Sequence, residues 1–184
     1  IWNAFRLIKG WEVSDTVEVD DVAEQANLWF TDRFQTALVE LNDNYDKFRM
    51  SDALMTGYKL TWDEFCSWYL ELVKPAYEQP LARKTYQQVI AHLENILRVL
   101  NPFMPFITEE IWQNIEARED GDSLMVNHWP VQTKTEALVE EFEQTKSLIS
   151  EIRTIRKDKN ISFKEQLELK IIATTAKYGA IVKI

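Results

Sequence analysis

Four glycines in 184 residues are too few for the dense turns of a β-sandwich or barrel. A single cysteine, Cys66, excludes a disulfide within the chain and fits a reducing, cytoplasmic setting. The two histidines, His92 and His128, lie far apart in sequence, and neither has a second His or Cys at metal-ligand spacing. There is no glycine-rich phosphate loop and no G-x-S-x-G nucleophile turn. The acidic pairs Glu109–Glu110 and Glu140–Glu141 are adjacent, so on a helix their side chains diverge. No catalytic site, metal or cofactor is therefore expected in this stretch. No apolar run reaches the roughly 18–20 residues of a membrane span, and no signal-peptide pattern heads the chain. The chain opens on Ile1 and closes on the apolar run "GAIVKI", so the expectation is a piece of a longer polypeptide.

What is present is apolar and patterned. The chain is 46% hydrophobic and 12% aromatic, enough to bury a core. Its net charge of −9 argues against indiscriminate nucleic-acid binding. Local charge can overrule that total, so the pattern matters more than the sum.

Apolar steps of three and four mark six helices. Ile1, Trp2, Phe5 and Ile8 fit a first, short helix ended by Gly10. An acidic connector, "WEVSDTVEVDD", has no helical stripe. A second helix starts near Asp21, with Ala23, Ala26, Phe30, Phe34, Ala37, Leu41 and Tyr45 inward. A third starts near Ser51, with Leu54, Tyr58, Trp62, Phe65, Tyr69 and Leu72 on its inner face, and stops at Lys74 before Pro75. In that helix Trp62, Phe65, Trp68 and Tyr69 are expected to be mainly core. Pro80 suits the first turn of a fourth helix, which turns Tyr86, Val89 or Ile90, Leu93, Ile96 or Leu97, and Leu100 inward.

"LNPFMPFITEEIWQ" then places two prolines three residues apart. Pro102 stops the fourth helix and is expected to push Asn101 out of the helical region. Pro105 suits the first turn of a fifth, where its missing N–H costs nothing. Phe106 or Ile107, with Ile111 and Ile115, continues inward. Phe103 and Met104 plug the corner, with Trp112 and Trp129 beneath it. Thr133 and Glu136 match a capping box for the sixth helix, with Leu138, Phe142, Thr145, Ile149, Ile152 and Ile155 as its apolar positions. Past Asn160, "QLELKII" alternates like a strand. The expected fold is all-α: an up-and-down bundle of about six helices over 1–160, with a short strand-containing extension over 161–184.

The sixth helix is polarised. Glu136, Glu140, Glu141 and Glu143 occupy its start; Arg153, Arg156, Lys157 and Lys159 occupy its end. Dipole complementation accounts for part of this. A single-turn effect does not need four cations, however, and Arg153, Arg156 and Lys157 share a face at i, i+3 and i+4. Arginines on one face suit phosphates and base edges. The first helix adds Arg6 and Lys9.

"IWNAFRLI", "WDEFCSWYLELVKP", "LNPFMPFITEEIWQ", "SLMVNHWP" and "ISEIRTIRKDKNIS" follow one another in an order and spacing that resemble the valyl-tRNA synthetases, over nearly the whole chain. The proline corner is shared with the isoleucine, leucine and methionine enzymes; "EFCSWYLELVK" points to valine. The resemblance implies the helical anticodon-binding domain that follows a class I catalytic domain. It further implies a parent enzyme that uses ATP, with Mg, to attach valine to tRNA(Val). The H-I-G-H-like and K-M-S-K-S-like signatures of that chemistry are not in this stretch. The implied partners are the anticodon stem-loop of tRNA(Val) and the catalytic domain of the same polypeptide, with no membrane and a cytoplasmic location. The implied RNA-contacting residues are Trp2, Asn3 and Arg6 on the first helix and Arg153, Arg156 and Lys157 on the sixth. Relatives commonly carry phenylalanine after the arginine. Here Leu7 stands there, with Phe5 two residues earlier, and the stacking position is open between them. Two rivals remain: the same domain of an isoleucyl or leucyl enzyme, and a helical scaffold that binds protein instead of RNA.

Overall fold

The structure is a computed structural model, and it describes residues 1–133, 139–162 and 165. It divides into two compact units, Ile1–Glu136 and Ala137–Ile184. The first holds helices α1 (Trp2–Lys9), α2 (Asp21–Asp46), α3 (Met50–Lys59), α4 (Leu70–Val73), α5 (Arg83–Leu100) and α6 (Pro105–Ile115). A π-helical segment, Leu60–Tyr69, joins α3 to α4, so residues 50–73 form one continuous rod. The second unit holds α7 (Val139–Asp158). Counting that rod once, the described residues contain six helical rods, as the periodicity indicates.

The expected strand around Leu167–Ile171 and nearly all of the 161–184 extension lie outside the described residues. So do Glu136 of the expected capping box and Leu138. The strands that are described sit elsewhere. β1 (Val13–Ser14) and β2 (Leu81–Ala82) pair in parallel, Val13 opposite Leu81. This small sheet changes the role of Pro80. It precedes β2, and α5 begins three residues later at Arg83. The Leu81 N–H donates to the Glu12 carbonyl at 2.7 Å, which draws the chain into the strand instead of a first helical turn. Arg83 closes the same junction by binding the Asp15 carboxylate, which holds that carboxyl below its usual range.

The core follows the stripes closely in α2 and α5. Asp20 caps α2 by accepting from the Val22 N–H at 3.2 Å. Ala23, Ala26, Phe30, Phe34 and Leu41 are buried, with Leu38 in place of the half-buried Ala37. On α5, Val89, Leu93, Ile96, Leu97 and Leu100 are all buried. A polar bridge crosses this core. The Tyr69 hydroxyl donates to Asn27 Oδ1 at 2.5 Å, and Asn27 Nδ2 donates to Gln88 Oε1 at 2.9 Å and to the Ala23 carbonyl at 2.8 Å. The bridge ties α2, the π segment and α5 together. His92 packs edge-on against Phe30 and Tyr69, with ring centroids 5.0 and 5.1 Å away. Burial drives its pKa down to about 4.

The third rod departs from the expected face. Leu54, Tyr58 and Trp62 are exposed, at 43%, 53% and 57%. The buried positions are Ala53, Thr56, Gly57, Leu60, Thr61, Phe65, Tyr69, Leu70 and Val73. Phe65 and Tyr69 are core as expected; Trp68 is half-buried and Trp62 is outside. The π segment is the cause. Its backbone bonds span five residues, as where the Leu70 N–H reaches the Phe65 carbonyl; the Ser67 side chain adds a bond over the same span, Oγ donating to the Trp62 carbonyl at 2.8 Å. Wider turns let residues spaced by four, Thr61, Phe65 and Tyr69, stay in register. A stripe extrapolated back from Phe65 at α-helical pitch therefore lands one residue off.

The proline corner forms as a stop and a start, α5 ending at Leu100 and Pro105 opening α6. Asn101, however, keeps helical angles, φ −53° and ψ −41°. Two bonds outweigh the preference of a pre-proline residue. The Asn101 N–H donates to the Leu97 carbonyl at 2.9 Å, and its Nδ2 donates to Thr108 Oγ1 at 3.0 Å across the corner. Phe103 stacks on Tyr45 at 6.1 Å; Trp129 meets Tyr45 edge-on at 5.6 Å and donates Nε1–H to Asn42 at 3.0 Å. Trp112 is buried under the Arg118 guanidinium, 3.7 Å above its ring. Phe106 points outward at 89% exposure, leaving Ile107 half-buried as the inward member of that pair.

Candidate nucleic-acid interface

α1 is short and two-sided. Phe5 and Ile8 are buried, which turns Trp2, Asn3, Arg6 and Leu7 outward. A helix of eight residues is marginal alone and relies on tertiary anchors. Lys9 supplies one: its Nζ donates to the Asn114 carbonyl at 2.7 Å, at the end of α6, and lies 5.4 Å from the Phe5 ring. This fixes α1 and commits the Lys9 charge to the scaffold. Trp2, 38% exposed, leans on Phe5 with centroids 5.5 Å apart. It is thus a half-supported aromatic at the helix's first position, in tilted contact with the buried Phe5 and partly open to solvent. Asn3 and Arg6, one turn apart, make no side-chain hydrogen bond or ion pair with the described residues. Their donors stand open to solvent beside Trp2. Of the two candidate stacking positions, Phe5 is buried and Leu7 is 48% exposed. The aromatic is thus in the core and the aliphatic on the surface.

The basic end of α7 is arranged differently. Arg153 and Lys157 are exposed. Arg156 is half-buried and already engaged: Nη1 donates to the Ser162 carbonyl at 2.8 Å and Nη2 to the Glu165 carbonyl at 3.0 Å. The chain turns at this point through Asn160, at φ +52°, a left-handed conformation that asparagine tolerates. The Asn160 N–H bonds the Lys157 carbonyl and the Ile161 N–H bonds the Arg156 carbonyl, at 3.1 and 2.9 Å. The Arg156 guanidinium closes that loop from outside, where a cation also complements the helix C-terminus. Sequence spacing identified the shared face but could not show that one of its three members is bonded to backbone.

So the structure assembles two groups: Trp2, Asn3 and Arg6 on α1 in the first unit, and Arg153, Arg156 and Lys157 on α7 in the second. The role of Lys9 as an anchor and that of Arg156 as a loop clasp were not legible from residue type. Both depend on backbone carbonyls brought close by folding. Among the described residues no group of three His, Cys, Asp or Glu side chains is placed to hold a metal ion, and no helix is long and apolar enough to cross a membrane.

Residues 27–171 match the family model described as the anticodon-binding domain of tRNA ligase. The chain belongs to the anticodon-binding domain family of tRNA ligases. It is similar to proteins named valine–tRNA ligase: 50% identical over 173 residues in Christiangramia forsetii and 50% over 173 residues in Phocaeicola vulgatus. Each of those alignments covers 94% of this chain and 20% of the relative. The similarity to the Bacteroides thetaiotaomicron protein of that name is 47% over 188 residues, covering all of this chain and 21% of the relative. The chain thus spans about one fifth of the length of the curated relatives it matches.

Proposed function

We propose that the chain is the anticodon-binding part of a valine–tRNA ligase and grips the anticodon stem-loop of tRNA(Val). Trp2, Asn3 and Arg6 on α1 and Arg153, Arg156 and Lys157 on α7 are the contacts. ATP- and Mg-dependent attachment of valine belongs to the remainder of the polypeptide, with no cofactor held here and a cytoplasmic setting. The observation that carries the reading is the similarity to ligases of that name over 94% of the chain. The α1 group supports it physically. RNA loops are read through splayed bases stacked on flat side chains and hydrogen-bonded along their edges. Trp2 offers a partly exposed indole, Asn3 an amide that can both donate and accept, and Arg6 an exposed guanidinium without a partner among the described residues. On α7, Arg153 and Lys157 are exposed cations suited to phosphates, and Arg156 holds the turn beside them with two donors and reaches RNA with those that remain.

The test is binding of a tRNA(Val) anticodon stem-loop across a salt series. Arg6→Glu and the pair Arg153→Glu with Lys157→Glu should each weaken affinity at least about tenfold. Each should also flatten the salt dependence, because neutralised phosphates release counterions. Unchanged affinity and slope in both variants, with helicity intact, would remove these residues from the interface. Equal affinity for isoleucine and leucine stem-loops at one salt concentration would overturn the valine assignment.

A further inference from the structure

The rod from Met50 to Tyr69 is apolar on two opposite sides. Ala53, Gly57 and Leu60 face inward; Gly57 approaches so closely that an added Cβ would lie 3.3 Å from Leu100 Cδ2. On the other side Leu54, Met55, Tyr58 and Trp62 share one arc, 43–57% exposed, with Met50 and the 86% exposed Phe48 at its foot. A surface helix normally presents one apolar stripe and a polar back; one that is apolar all round is a buried helix. Aromatic and methionine side chains clustered in this way also have the composition of an interface centre. Charge argues against nucleic acid there. From residue 43 to 63, Lys47, Arg49 and Lys59 are outnumbered by Asp43, Asp46, Asp52 and Asp63, and Lys47 is paired with Asp43 at 2.6 Å.

We infer that this outer face of the rod, centred on Tyr58 and Trp62, is the seat on which another part of the same ligase polypeptide, outside residues 1–184, docks. The inference rests on the reading that the chain belongs to a longer ligase, as in relatives where it matches one fifth of the length. The tether decides among occupants. A segment on the same polypeptide is present at an effective concentration of about millimolar, well above that of a free partner. The docking segment is apolar, with a mixed-charge rim to match the aspartates and lysines around the stripe.

Hydroxyl-radical footprinting of the full-length polypeptide tests this without substitution, because Met, Trp and Tyr all label readily. Tyr77, 88% exposed, serves as the internal standard. Met55, Tyr58 and Trp62 should label about fivefold or more slowly than their exposure relative to Tyr77 implies, because a packed interface excludes water. Labelling in proportion to exposure overturns the inference. Protection that fades on dilution assigns the face to a second copy, and protection that appears only when tRNA is added assigns it to RNA; either also overturns it. None of these readouts depends on whether α1 binds an anticodon loop, so the two readings fail separately.

Discussion

α5 and the rod from Met50 to Val73 are neighbours in one unit with opposite characters. α5 is one-sided: its apolar residues recur at helical pitch, and every one of the expected inward positions is buried or half-buried. The rod is two-sided and changes pitch at Leu60. Both are rich in large apolar residues, so composition does not separate them. What separates them is phase. A single stripe at constant pitch tells which residues face the core; two stripes with a π segment between them do not.

The largest expected effect breaks this comparison at its inner face. Phe65 and Trp62 are three residues apart in one aromatic motif, yet Phe65 is fully buried against Phe30 and Tyr69, with ring centroids 5.4 and 5.5 Å away. Phe65→Ala should destabilise the fold by about 3–5 kcal/mol, from lost transfer energy and the cavity left behind. Chemical denaturation measures it. A loss below about 1 kcal/mol would mean that the π segment does not hold Phe65 in the core.

The same contrast separates what is legible in the sequence from what is not. The α2 and α5 stripes, the helix boundaries at Asp21 and Pro105 and the proline corner were legible, because each rests on a local rule of period or proline geometry. The outward face of Leu54, Tyr58 and Trp62 was not, since a π segment breaks the period and leaves no mark in residue type. Asn101 kept helical angles because of a bond to Thr108, seven residues on, and no pre-proline rule contains that partner. For the candidate interface, spacing groups Arg153, Arg156 and Lys157, and the structure places all three at the end of one helix. Only the turn through Asn160 shows that Arg156 spends two donors on carbonyls.

Stability should also depend on pH through the helix α5 histidine. His92 packs edge-on against both Phe30 and Tyr69, where burial favours the neutral ring and lowers its pKa from 6.5 to about 4. The unfolded chain therefore binds the proton more readily than the folded one between those values. The stability contributed by the neutral ring is complete above pH 6.5 and is lost as pH falls toward 4. The loss should reach about 2–3 kcal/mol. His92→Phe should remove that part of the pH dependence in denaturation curves taken from pH 7 to 4. An unaltered slope in the variant would place the titration elsewhere.

A smaller effect is expected where the rod's inner face is polar. Tyr69→Phe removes one hydroxyl and leaves Asn27 Oδ1 without its donor in a buried site, though Asn27 keeps its bonds to Gln88 and Ala23. The expected cost is about 1–2 kcal/mol. A double cycle with Asn27→Ala should recover most of it as coupling, because neither group then lacks a partner.

Trp62→Ser should matter least to the stability of the 184-residue chain. The indole is 57% exposed, and its neighbours on the outer face, Tyr58 and Met55, are about as open. Substitutions at such positions usually fall within about 0.5 kcal/mol. Set beside Phe65→Ala, this is the sharpest form of the contrast: two aromatics of one motif, one turn of chain apart, differing by several kcal/mol on denaturation. The same Trp62→Ser change in the full-length polypeptide should cost about 2 kcal/mol or more if the outer face is an interface centre. A cost that is small in the short chain and large in the long one means that the second apolar face is answered by protein outside residues 1–184. Equal costs in both would make Trp62 a surface aromatic and leave the rod one-sided in function as well as in the core.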